Sequence, residues 1–144
     1  MSFEERKAWV YLAVAVVGYG AYLALALTAL ATDPTVIAEA NYAAAMLSTI
    51  GGAIVVGILA NIAVATVTPH DAQKTDQRDR DIARLGEHVG QAFLVIGGVA
   101  ALVLALVRAE HFWIANVIYL GFVLSAVVGS IARLVAYRRG VPAW

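Results

Sequence analysis

Residues 76–107 read DQRDRDIARLGEHVGQAFLVIGGVAALVLALV. The first part carries seven formal charges, on Asp76, Arg78, Asp79, Arg80, Asp81, Arg84 and Glu87, whereas Val89 to Val107 contains no Asp, Glu, Lys or Arg. A hydrocarbon core of roughly 30 Å is crossed by about 20 apolar residues in helix. Backbone groups in lipid must bond within their own segment, so the apolar part is a transmembrane helix. Ile82, Leu85 and Val89 recur at helical spacing. Asp76/Arg80, Asp81/Arg84 and Arg84/Glu87 set opposite charges three or four residues apart. The helix is therefore expected to begin near Asp76, with Thr75 or Asp76 as its cap and Asp76 and Asp79 suited to its positive end. At about 1.5 Å per residue it reaches about 48 Å, so some three turns project beyond the bilayer. Their charges either pair with one another as a solvated extension or form a docking surface for a cytoplasmic partner or a second copy. Gly86 and Gly90 mark close packing or a bend, of which packing is preferred.

The same reading extends outward. The chain has 144 residues, 62% hydrophobic and 14% charged, with a mean hydropathy of +0.80. Soluble domains carry about a quarter charged residues, so this is a membrane composition. Spans are expected at 8–31, 42–67, 89–107 and 112–134. The fourth contains only Arg133, close enough to its end to snorkel. The fold class is all-α: a single domain over 1–144, a polytopic four-transmembrane-helix bundle with the third helix extended. Ala29-Leu30-Ala31 resembles a signal-cleavage site, but the apolar run from Ala8 is too long for a signal h-region and its leader is not purely basic. It is expected to remain as an anchor.

Ten basic residues balance ten acidic ones, giving no bulk attraction to nucleic acid, and there is no cysteine for disulfides or thiolate chemistry. Arg108 alone separates from the other nine basic residues, which flank the opposite span ends. The positive-inside rule then puts both termini and the 68–88 connection in the cytoplasm of an integral membrane protein. Trp9, Tyr11, Trp113 and Tyr137 sit at span ends, where amphipathic rings favour the interface. The tight Arg108–His111 connection makes the third and fourth helices antiparallel neighbours. Asp33-Pro34 is a helix-start signal, so the second helix is expected to begin outside the bilayer and either continue straight or bend near Asn41.

Helices in lipid associate through close approach and interhelical hydrogen bonds. Small or polar residues recur every fourth position at Ala45, Thr49, Ala53, Gly57, Asn61 and Ala65, at Gly97, Ala101 and Ala105, at Gly121, Ser125 and Gly129, and at Gly20, Ala24 and Thr28. Whether the second-span ladder serves an internal neighbour or a dimer seam stays open. Four short spans bury little interior, which favours a homo-oligomer.

Reactive groups at membrane depth are few. Asn61 and Asn116 are read as the amides well inside spans, at different depths, and interhelical bonding is the simpler role for each. Tyr19, Tyr22 and Tyr119 fit packed aromatics. His88 and His111 lie at opposite span ends and cannot share one haem. His70 and His88 with Asp71 or Glu87 lack metal-ligand spacing, so no metal or cofactor is expected. No phosphate loop or nucleophile motif is present.

Asp76-Gln77-Arg78-Asp79-Arg80-Asp81-Ile82, opening a helix into an apolar hairpin, resembles the D-E-R-D-x-x-I element of an uncharacterised family of small prokaryotic membrane proteins, with Gln77 at the second acid. Glu110–Tyr119 and Ala136–Gly140 are similar to features of that family. The resemblance implies a prokaryotic plasma membrane and carries over no activity. The sequence thus predicts a non-enzymatic accessory or regulatory membrane protein that shows Asp76–Glu87 and the Arg138-Arg139 tail to a partner. The alternative is a small oligomeric transporter or channel lined by Ser48, Thr49, Asn61, Ser125 and Ser130, against which stands the lack of an intramembrane carboxylate.

Overall fold

The computed structural model describes residues 2–33, 35, 42–67 and 76–140. They form α1 (Phe3–Thr32), α2 (Tyr42–Val67), α3 (Gln77–Leu106) and α4 (His111–Arg139). All four are long and apolar enough to cross a membrane, which marks an integral membrane protein. The course of the chain near Asn41 and the placement of His70, Asp71, Lys74 and Thr75 lie outside the described residues.

Local chemistry sets the helix ends. The Ser2 hydroxyl accepts the Glu5 N–H at 3.1 Å, and Glu4 and Glu5 occupy the positive first turn of α1. Asp33 closes that helix, its N–H bonded to the Ala29 carbonyl. Its carboxylate takes the Thr35 hydroxyl at 2.6 Å and N–H at 2.9 Å, which together hold it below the usual aspartate range. Asp76 caps α3 in a reciprocal arrangement with Asp79. At the other end of α3, Ala109 N–H reaches the Leu104 carbonyl and Arg108 N–H the Ala105 carbonyl. That is a Schellman motif with Arg108, at φ 57°, in the left-handed position usually given to glycine. Gly140 stops α4 at φ 87° and ψ 164°, a conformation open essentially to glycine alone.

The extensive interfaces are α3 on α4, α1 on α2 and α1 on α4. The helices therefore lie in the order α2–α1–α4–α3, an open bundle in which α2 and α3 form the two edges. Glycine sets the closest seam. A methyl on Gly97 would stand 2.9 Å from Gly121 Cα, one on Gly90 2.9 Å from the Ser125 carbonyl oxygen, and one on Gly129 2.8 Å from the Gly86 carbonyl oxygen. Gly86 and Gly90 thus serve packing, in line with the preferred reading. On the other side Ala53, Gly57 and Asn61 of α2 meet Gly18, Val14 and Tyr11 of α1. This part of the second-span ladder serves an internal neighbour.

One expectation needs correction. Among the described residues, Gly20, Ala24 and Thr28 face no neighbouring helix: all three are exposed, and a methyl on Gly20 would meet nothing within 4 Å. The Thr28 hydroxyl instead bonds back to the Ala24 and Leu25 carbonyls, and α1 uses the stripe Tyr11, Val14 and Gly18, where the larger Tyr11 reaches across to a polar partner. The charged extension of α3 is held against the end of α4, Asp79 at Tyr137 and Gly86 at Arg133 and Gly129. Ile82, between those two points, is fully buried. Apolar residues elsewhere turn outward, with Val17, Leu47 and Leu106 at least 70% exposed. Such a surface is compatible with lipid, not water.

Candidate functional site

The hydroxyl of Tyr137 donates to Asp79 Oδ1 at 3.0 Å, and Arg78 makes a longer bond of 3.4 Å to the Tyr137 carbonyl. Ser2 also lies in hydrogen-bonding reach of that phenol. The start of α1, the start of α3 and the finish of α4 therefore share one end of the molecule, the termini end. Burial, followed by the hydrogen bond and charge of Asp79, pushes the Tyr137 phenol well above its ordinary value. Asp79 is thus engaged twice, in the α3 cap and in this clamp.

The other charges of the extension point outward. Asp76, Arg78, Arg80, Arg84 and Glu87 are exposed and Asp81 is half-buried. Among the described residues, the expected pairs Asp76/Arg80, Asp81/Arg84 and Arg84/Glu87 do not form ion pairs; Asp81 instead accepts from the Gln77 amide at 3.3 Å, and Glu87 approaches Arg133 at 3.9 Å. Side chains at a hydrated surface gain too little from such a pair to hold one geometry. Arg138 and Arg139 are exposed in the last turn of α4, where their charge suits the negative helix end.

At membrane depth the two asparagines bond to different tyrosines of α1. Asn61 Nδ2 donates to the Tyr11 hydroxyl at 2.9 Å, and the Tyr22 hydroxyl donates to Asn116 Oδ1 at 2.6 Å. Tyr11 and Tyr22 are about 16 Å apart along the helix axis, so the amides belong to separate sites. Asn116 also donates to the Phe112 carbonyl at 2.8 Å, whereas Asn61 Oδ1 is buried without a partner among the described residues. Tyr19, Tyr22 and Tyr119 form an edge-to-face cluster between α1 and α4. The Thr49 hydroxyl turns back to the Ala45 and Met46 carbonyls.

Two grooves remain. One, of about 420 Å³, runs between α2 and α4 over α1, lined almost wholly by apolar side chains with Asn61 and Tyr11 at its edge. The second, of about 560 Å³, lies between α3 and α1 over α4 and is more polar, with Glu87, Gln91, Ser125, Ser130 and Arg133 in its walls. The structure brings Ser125 and Gly129 into this groove and leaves Gly57 in the first. Sequence reasoning missed Gln91, an amide less than a turn into the third span, and read Tyr11 only as an interface residue. The signal for Tyr11 was its place three and seven residues before Val14 and Gly18. His88 and His111 are exposed, and among the described residues no three His, Asp or Glu side chains gather as metal ligands. Comparison with family models, curated proteins and solved structures finds no match to this chain.

Proposed function

We propose that the protein is a non-enzymatic accessory or regulatory membrane protein whose termini end, cytoplasmic in a prokaryotic plasma membrane, docks a protein partner. Membership of the family that the Asp76–Ile82 element resembles is part of this proposal, as is a homo-oligomeric state. The observation that supports it is the contrast within the α3 extension: Ile82 is fully buried and Asp79 is clamped by Tyr137, while Arg80 and Arg84 on the same helix are exposed and, among the described residues, in no ion pair. A rigid helix holding uncompensated charge loses little conformational entropy when a complementary surface arrives. Arg138 and Arg139 add to that surface from the neighbouring helix.

The double variant Arg80→Glu/Arg84→Glu is expected to insert normally and to lose a stoichiometric partner recovered with the wild type from gently solubilised native membranes. Unchanged recovery would overturn the reading. Transport has less support: the Ser48 and Thr49 hydroxyls are bonded to carbonyls of their own helix.

A further inference from the structure

The two grooves are continuous in their chemistry. Tyr119, Phe122, Ala126, Ser130 and Arg133 recur at three- and four-residue spacing and so form one stripe of α4. Towards Phe122 this stripe forms one wall of the apolar groove, and towards Arg133 it floors the polar one; Ala126 and Tyr11 line both. From Phe122 to Arg133 is about 16 Å along the axis, near the roughly 15 Å hydrocarbon depth of a single leaflet. A polar chamber at the termini end followed by an apolar channel of leaflet depth matches the profile of one amphiphile.

The polar chamber has a defined charge pattern. Arg133 is only about a quarter exposed, and its Nε is buried with no hydrogen-bond partner among the described residues. Its stem and Nε lie across Gly86, where any Cβ would collide with them, and the residue lines the groove. Among the described residues the carboxylate paired with it is Glu87, 3.9 Å from Nη2 and beyond hydrogen-bonding distance. A guanidinium so placed binds a phosphate through paired N–H donors, and the exposed Glu87 beside it suits an ammonium group. We propose that this compound groove binds one phospholipid whose head carries a primary amine beside its phosphate, the phosphate on Arg133, the ammonium on Glu87 and one acyl chain past Tyr11 and Ala126. A head with phosphate alone would meet repulsion from Glu87, and a quaternary ammonium would offer it no N–H donor. This site is independent of the partner-docking reading.

The test uses full-length protein, delipidated in non-ionic detergent and offered equal amounts of phosphatidylethanolamine, phosphatidylcholine and phosphatidylglycerol with identical chains, read by native mass spectrometry. Phosphatidylethanolamine is expected to bind one per protomer, at least tenfold in preference to the other two. Glu87→Gln should remove that preference, and Arg133→Gln should lower retention of all three at least tenfold. Glu87 is exposed, so its variant keeps the proposal testable even where Arg133→Gln fails to insert. Equal retention of the three lipids by the wild type, or an undiminished preference in Glu87→Gln, overturns the proposal. So does a disulfide-linked dimer through Ala126→Cys in native membranes, because a second copy would then occupy the groove; the chain has no other cysteine to confuse that result.

Discussion

Arg108 occupies the left-handed position of the Schellman motif that closes α3, with φ 57°. For a residue with a Cβ that conformation costs about 1–2 kcal/mol, part of which glycine would return as extra freedom in the unfolded chain. Arg108→Gly is therefore expected to stabilise the protein by about 0.5–1 kcal/mol. The midpoint of unfolding in mixed detergent measures this. Arg108→Ala is the control: it removes the same charge and retains the Cβ, so it should bring no gain. If both variants stabilise equally, the effect is electrostatic and the backbone argument fails. The exposed side chain takes no part in helix packing, so the comparison is free of core effects.

At the scale of the element, the α3–α4 seam depends on which face each glycine presents. Gly97 and Gly98 are adjacent, yet a methyl at Gly97 would stand 2.9 Å from Gly121 Cα while one at Gly98 would meet nothing within 4 Å. Gly97→Ala should destabilise by about 1–3 kcal/mol through forced separation of two backbones. Gly98→Ala should stabilise by up to about 1 kcal/mol, because helix propensity alone acts there. Unfolding midpoints of the two variants should move in opposite directions; a common direction would mean that the seam tolerates separation. This also shows what the sequence makes legible. Helix positions follow from apolar length, so the second span coincides with α2, Tyr42–Val67. The cap at Asp76 and the small-residue seam from Gly97 to Gly129 follow from residue type and spacing. Charge pairing along α3 does not, because spacing puts Arg84 within reach of Glu87 but cannot weigh hydration against the nearby Arg133. Tyr11 and Gln91 were hidden for a related reason: a polar residue near a span end is equally suited to the headgroups or to a groove, and only the neighbouring helix decides.

For the whole molecule, helix order is the property least accessible from sequence. Every helix carries small residues on some face, and an Ala/Gly-rich chain offers many ladders of which few are used: Gly18 packs on Ala53, whereas Gly20 faces open space. The order α2–α1–α4–α3 follows from the actual pairings and leaves α2 and α3 as edges. It can be tested with paired cysteines, because the native chain has none. A Cβ on Gly18 would lie 3.2 Å from the Ala53 Cβ, within a few tenths of an ångström of the about 3.5–4.5 Å span of disulfides. Gly18→Cys/Ala53→Cys is thus expected to oxidise within a single chain in the membrane. Ile58→Cys/Leu94→Cys, which joins the two edges, should give no such product, and any disulfide it forms should link separate chains. The edge pair closing within one chain would require α2 and α3 to meet, turning the open row into a closed bundle and dismantling both grooves. Closure of the α1–α2 pair alone is the outcome the row requires, and it leaves in place the groove on which lipid binding depends.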